Sequence, residues 1–530
     1  MRVGAGYLPP RVHMFVRDGL RLAFDAGSGT LLVLDEAGWA ALAEMVEGSD
    51  PPEQGSRPEE GSRGVRRGLQ ALPEERGGQV LPRHVRAARR ELEELTGRGL
   101  LFSPVPVPVP PRPVLKALCL HVAHACQMRC AYCFAAGGDY GGGTELMPPQ
   151  VARAAVDMLL DPSSPVRRWA IDFFGGEPLL NWPVVVDTIE YARDRARGLG
   201  GEVQFTLTTN GLDLTATRLE FLSRERVNLV VSLDGRPEVH DAVRRLADGR
   251  PTWERALGGA RRAASSYLPG ALAASGAAGP SLWVRGTFTR RNPDFARDAI
   301  YLFELGFDHV SLEPVCGGPA GLVLGPDDLP VLAGQYGELA RWCDHQAGKG
   351  RPVRFYHFEL DPGGGPCLAR RLAACGAGRE YLAVTPGGEL YACHQLVGVR
   401  DFLVGDVRRG ITRPEVGDRM GEHDVAHMDS CRPCWARFLC GGGCRAAAFF
   451  EHGQLGRPPS LECVLQRIRW EWALWLRARR QGDPPGGVIR PGGLARAKGG
   501  GASGECIRWQ GRKTSSGVED YGVTSPGTRG

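Results

Sequence analysis

Cys126, Cys130 and Cys133 stand in the spacing C-x3-C-x2-C, within Leu120-His-Val-Ala-His-Ala-Cys126-Gln-Met-Arg-Cys130-Ala-Tyr-Cys133-Phe134. Three thiolates on one loop can hold three irons of a cubane iron–sulfur cluster and leave the fourth iron without a protein ligand. An iron left open in this way can bind a small molecule, which a fully ligated electron-transfer cluster cannot. The competing chemistry is half of a zinc knuckle, but this spacing lacks the paired two-residue gaps of zinc sites.

A second set of cysteines follows much later. Cys375 precedes Gly388-x4-Cys393, then Cys431-x2-Cys434-x5-Cys440-x3-Cys444, and finally Cys463. Pairs of the C-x2-C type occur in zinc ribbons and in iron–sulfur proteins alike. Between the two sets lies Asp172-Phe-Phe-Gly-Gly-Glu-Pro178. Its two glycines let the backbone approach a ligand closely, and Glu177 supplies a carboxylate beside it. Other residues invite less. His121 and His124 flank the first triplet, yet a histidine on an alternating strand end is usually structural. Cys119, Cys316 and Cys343 read as small buried apolar residues, and the lone Cys506 as incidental.

The elements that must position these residues are legible from periodicity. Candidate strands are Leu118–Val122, Ala170–Phe174, Gln204–Thr208, Leu229–Leu233, Leu282–Phe288 and His309–Leu312, with helical patterns between most of them. Repeated strand–helix units predict an α/β fold whose parallel sheet curls into a partial barrel, in a unit spanning 114–330. Chemistry in such barrels sits at the C-terminal ends of the strands, which is where the first triplet falls. Upstream, residues 1–103 read as a small separate domain. Val12–Val16 and Leu20–Phe24 flank the turn pair Asp18-Gly19, and Thr30–Leu34 makes a third strand. Asp35 is placed to cap a helix from Glu36 to about Val46. Val85, Ala88, Leu92 and Leu95 share one face of another helix. Residues 48–80 and 263–280 read as insertions, 104–113 as a stiff Pro-rich linker, 331–475 as a cysteine-bearing C-terminal unit, and 480–530 as a disordered tail.

Composition excludes more than it suggests. At 530 residues and 42% hydrophobic the chain can form two or three cored domains, and its net charge of +5 argues for neither nucleic acid nor a membrane surface. No apolar run approaches the roughly 20 residues of a membrane span, and the start lacks a signal-peptide core. Fifteen cysteines without an export signal point to metal ligation in a reducing cytoplasm rather than to disulfides.

The triplet, with Tyr132 before its third cysteine, resembles that of the radical S-adenosylmethionine (SAM) enzymes. In that family the open iron chelates SAM, and an electron from the cluster cleaves it to methionine and a 5′-deoxyadenosyl radical. Gly175-Gly-Glu-Pro178 is similar to the family segment that binds the amino group of SAM. Thr208-Thr-Asn210-Gly and Val231-Ser-Leu-Asp-Gly235 are similar to its strand-end segments. The resemblance implies that Ser232 meets the methionyl carboxylate or the ribose. Arg285, in Val284-Arg-Gly-Thr-Phe288, is a carboxylate partner or a simple surface ion pair. The later cysteines resemble a SPASM extension, which binds two auxiliary four-iron clusters. That resemblance gives Cys431, Cys434, Cys440 and Cys463 to an outer cluster and Cys375, Cys393 and Cys444 to an inner one. The fourth inner position falls either to Cys367 or to a substrate sulfur on an open iron.

Finer likeness lies in His121-Val-Ala-His-Ala-Cys126, Cys133-Phe-Ala-Ala-Gly-Gly-Asp-Tyr-Gly-Gly142, Cys375-Gly-Ala-Gly-Arg-Glu-Tyr-Leu-Ala-Val-Thr-Pro386 and Tyr391-Ala-Cys-His-Gln395. These stretches resemble the maturases of SCIFF peptides (six cysteines in forty-five residues), which join a cysteine sulfur to a carbon of another residue. The likeness spans about residues 12–475. It implies a (β/α)6 TIM-like partial barrel, a Cys-rich precursor peptide as partner, and a reducing partner such as flavodoxin or ferredoxin. Residues 1–103 then resemble a winged-helix-like element that holds a leader peptide as an added strand. A DNA-binding winged helix is the alternative, and no dense basic recognition helix supports it.

Overall fold

The computed structural model describes residues 7–8, 11–47, 82–106, 112–267, 280–360, 372–373, 375–481 and 488–489. The expected insertion at 48–80, most of that at 263–280, Cys367 and Cys506 lie outside them.

The N-terminal unit is a meander of β1 (Val12–Arg17), β2 (Leu20–Asp25) and β3 (Leu31–Leu34). Asp35 caps α1 (Glu36–Glu47) by accepting from the Gly38 amide at 2.7 Å. The expected face of α2 (Pro82–Gly97) packs inward, with Val85, Ala88, Leu92 and Leu95 in one apolar cluster with Leu32 and Leu42.

Six parallel strands follow in the expected order: β4 (Ala117–His124), β5 (Arg168–Gly175), β6 (Glu202–Thr209), β7 (Asn228–Ser232), β8 (Leu282–Phe288) and β9 (His309–Pro314). Each pairs with its neighbour in the sequence of strands. Alternate residues of β5 and β6 are buried under helices that return the chain, which is the burial a curled α/β sheet requires. Two of those helices begin on clear signals. Pro149 opens Pro149–Leu159, and Thr215 caps Ala216–Arg224. This is a TIM-like partial barrel. It does not close on itself: β4 pairs in parallel with β10 (Tyr381–Val384), which continues antiparallel through β11 (Glu389–Tyr391) to β12 (Leu403–Asp406). One edge of the barrel sheet therefore becomes the C-terminal cysteine region.

The structure corrects three boundaries. Residues 263–267, read as the start of an insertion, belong to the helix Trp253–Tyr267, where Tyr267 is buried and its hydroxyl donates to the Val227 carbonyl at 2.8 Å. Val105–Pro106, assigned to the linker, pairs antiparallel with Tyr7–Leu8. The tail is not featureless at its start: helix α3 (Ser460–Gln481) crosses residue 480, and Val488–Ile489 adds a strand to β3. No helix among the described residues is long and apolar enough to cross a membrane.

Candidate active site

The strand ends converge on one cavity of about 530 Å³. Cys126, Cys130 and Cys133 line it, with Tyr132, Gly175, Gly176, Asn210, Ser232 and Arg285. The loop carrying the thiols is pinned from several sides. Met128–Cys130 pairs antiparallel with Arg244–Leu246, placing Arg244 opposite Cys130. Arg129 donates to the carbonyls of Cys126, Met128 and Gly137 at 2.7, 2.8 and 3.1 Å. Gly138, at φ 107°, lets the loop close: a Cβ there would lie 2.6 Å from Cys126 Cβ and 3.0 Å from Gly176 Cα.

Tyr132 is a structural anchor at the cavity wall. Its hydroxyl donates to Asp234 Oδ2 at 2.6 Å and accepts from Arg244 Nη1 at 2.9 Å. Asp234 in turn accepts from the Thr287 amide at 3.1 Å, so one buried chain ties the cysteine loop to β7 and β8. Burial pushes the Tyr132 phenol well above its usual range, which keeps the donor proton in place. Burial likewise pushes the Cys126 thiol up to about 11 and the Cys130 thiol to about 12. Ligation of a metal there would displace those protons.

Glu177 is held by three hydrogen bonds at the strand ends. Its carboxylate is 1% exposed and does not line the cavity itself, though it lies within electrostatic reach of Cys126. It accepts from the Thr209 hydroxyl at 2.7 Å and from the amides of Asn210 and Leu179 at 2.8 and 3.0 Å. Glu177 therefore bolts the end of β5 to that of β6. Pro178 is buried and starts a short 3-10 turn behind it. What faces the cavity is the Gly175-Gly176 backbone. Arg285 lines the cavity and lies 3.9 Å from Glu313.

His121 and His124 behave as structural residues. They are buried, with Nδ1 of one 3.2 Å from Nε2 of the other, and both pack on Tyr140. Cys343 is a buried helical residue as expected. Cys316 contradicts its expectation. It is exposed, to the cavity, because the chain turns there at the end of β9. Cys119 is buried but also borders the cavity.

The C-terminal cysteines separate into two groups. Cys431, Cys434, Cys440 and Cys463 ring a small cavity of about 30 Å³, with Arg437 and Glu462 in its wall. Gly441, Gly442 and Gly443, all at positive φ, turn the chain between Cys440 and Cys444. Cys393 and Cys444 each lie within electrostatic reach of Cys375. Burial pushes the thiols of Cys393 and Cys440 up to about 12 and that of Cys431 to about 11. The buried Arg445 lies among these sulfurs, and its Nε has no hydrogen-bond partner among the described atoms. Buried cations beside many thiols fit groups that carry net negative charge, as thiolate-held iron–sulfur clusters do. Among the described residues no three of His, Cys, Asp or Glu close on a point as the ligands of one metal ion would.

Several residues of the cavity carried no legible signal. Arg244 is reached only through strand pairing, and Glu313 through the curl of the barrel. His394 and Phe134 each follow a cysteine directly, which was a usable hint. His394 Nδ1 lies 2.9 Å from the Tyr381 hydroxyl, and its ring packs on Phe134 and Phe174 between the two cysteine regions.

Residues 120–276 match the family model of the radical SAM superfamily. Over 377 residues the chain is 29% identical to the mycofactocin maturase MftC of Mycobacterium tuberculosis, covering 66% of this chain and 83% of that one. A shorter stretch of 138 residues is 25% identical to the radical SAM cyclopropyl synthase TigE of Paramaledivibacter caminithermalis, 24% of this chain and 28% of that one. The fold is shared with anSMEcpe, solved with bound AdoMet, at a TM-score of 0.57 and 17% identity over 70% of this chain and all of that one. The chain carries a radical SAM domain.

Proposed function

We propose that this chain is a radical SAM peptide maturase that installs intramolecular thioether cross-links, cysteine sulfur to carbon, in a small Cys-rich precursor of the SCIFF type. The observation that carries the reading is the pairing of one three-thiol loop on an open cavity with two further thiol groups behind it. Mycofactocin maturases, the relatives aligned over two thirds of the chain, support a peptide as substrate. The thioether rests on the SCIFF-like stretches.

Cys126, Cys130 and Cys133 would hold the SAM-binding cluster. The Gly175-Gly176 backbone, Asn210, Ser232 and Arg285 would hold SAM. Cluster and SAM, when bound, supply a carbon radical able to take a hydrogen atom. The chain's own part is positioning and exclusion of water. Tyr132, Asp234 and Arg244 fix the loop, and Glu177 fixes the strand ends against which SAM would lie. Forming one thioether removes a hydrogen atom from the acceptor carbon and a proton from the thiol, leaving one surplus electron. Cys431, Cys434, Cys440 and Cys463, with Cys375, Cys393 and Cys444, would hold the two auxiliary clusters that accept it. The N-terminal sheet would hold the leader as an added strand, and flavodoxin or ferredoxin would supply the priming electron.

A second reading, modification without sulfur such as carbon–carbon cross-linking or sulfatase-maturase-like oxidation, is supported by relatives whose names specify no thioether. Mass spectrometry of the peptide after anaerobic reaction with SAM and reductant separates the two. A thioether removes two hydrogens and makes one cysteine unreactive to alkylation. A two-hydrogen loss with every cysteine still alkylated rejects the sulfur chemistry and favours the second reading.

A further inference from the structure

We propose that Cys316 is the fourth thiolate of the inner auxiliary set, joining Cys375, Cys393 and Cys444. The inference rests on the iron–sulfur reading of those cysteines. It starts from a position: Cys316 stands two residues past β9, and the Val315 amide between them still donates to the Phe288 carbonyl at 2.9 Å, so the strand geometry holds up to it. Gly317 and Gly318, at φ 74° and 107°, then turn the chain, and Gly318 comes to rest beside Tyr132. Cys316 is thereby fixed on the wall that the main cavity shares with His394 and Gln395, the two residues after Cys393.

The other three thiols approach from separate elements. Cys375 stands ahead of β10, Cys393 just beyond β11, and Cys444 at the cap of the helix Arg445–His452. Cys393 lies within electrostatic reach of both Cys375 and Cys316. Glu462 acts on Cys316 and on Cys444, so these two thiols share a neighbour. Four free thiols from four elements are thus linked pairwise, through Cys375, Cys393 and Glu462, into one neighbourhood that Cys316 and the residues after Cys393 join to the cavity wall. Packing gives no competing reason for a cysteine at 316, because the residue faces the cavity and not the core. A set of four protein thiolates leaves no open iron, so a peptide sulfur would not be held there and the inner site would serve electron transfer alone.

The test uses full-length protein in which C126A, C130A and C133A remove the first cluster, reconstituted anaerobically. If the iron–sulfur reading holds, this parent retains about eight irons in two clusters. C316A and C367A are then compared by iron content and by electron paramagnetic resonance of the reduced protein. The proposal predicts that C316A changes the signal of one cluster and lowers its iron, while C367A leaves both signals intact. C316S, which offers an oxygen ligand, should keep the iron and shift the signal, and it serves if C316A does not fold. A changed signal in C367A, or none in any Cys316 variant, overturns the proposal. Zinc or no metal in the parent itself would instead reject the iron–sulfur reading, and this inference with it.

Discussion

At the residue scale, the side chains divide by what they face. Cys126, Cys130 and Cys133 face the cavity, so replacing any of them with alanine should abolish reductive SAM cleavage, measured as 5′-deoxyadenosine formed. C431A or C434A, at the outer cavity, should spare part of that cleavage while eliminating cross-linked peptide. Wild-type product rates in either outer variant would contradict an essential auxiliary role. Glu177 faces its own backbone, and that has a pH consequence. Burial raises its pKa to about 7 against the three hydrogen bonds that favour the carboxylate. A raised pKa means that the folded state binds the proton more tightly than the unfolded one. Its stabilising contribution is therefore complete below about pH 4.5 and is lost as pH rises through about 7. At 1.36 kcal/mol per unit the swing is roughly 3 kcal/mol. Denaturant unfolding of wild type and E177Q should show this as a difference in stability that changes over that window. A difference that stays constant from pH 4.5 to 7.5 would refute the assignment.

At the element scale, the site depends on backbone packed against backbone. Gly176 donates its amide to the Ala123 carbonyl at 2.8 Å, and a Cβ on it would stand 2.2 Å from the Ala125 oxygen. Gly138 closes the same stack from the cysteine loop. G138A should therefore lower iron at the first site selectively, leaving the auxiliary iron in place. Equal iron in wild type and variant would show that the stack does not set the loop. Much of this scaffold was legible in the sequence. All six barrel strands contain the apolar segments read from the sequence, since those segments form the buried sheet. The cysteine triplet announced its own position after the first strand. The orientation of Glu177 was not legible, because the motif fixes its place in the chain and only the junction of β5 with β6 fixes where its carboxylate turns. Nor was the role of Arg244, whose partner strand lies more than a hundred residues away. Cys316 was misjudged for a similar reason: a residue two positions past a buried strand looks apolar until the turn after it is known.

At the scale of the whole molecule, the N-terminal sheet sits against the cysteine region. Glu471 of α3 bridges it, 2.8 Å from His13 Nε2 and paired with Arg17. His13 also stacks on Trp435, the neighbour of Cys434, with ring centroids 4.0 Å apart. E471A would remove the shared partner of Arg17 and His13 and should lower stability by about 2 kcal/mol, the scale of a charge-assisted hydrogen bond, read as a shift in the thermal midpoint. An unchanged midpoint would mean that the two parts are held by other contacts. The central claim, that one loop and two further thiol groups hold three four-iron clusters around a SAM site, is tested most directly by metal analysis. Anaerobically reconstituted full-length protein should contain about twelve irons with matching sulfide. Zinc near stoichiometry with little iron would contradict the account.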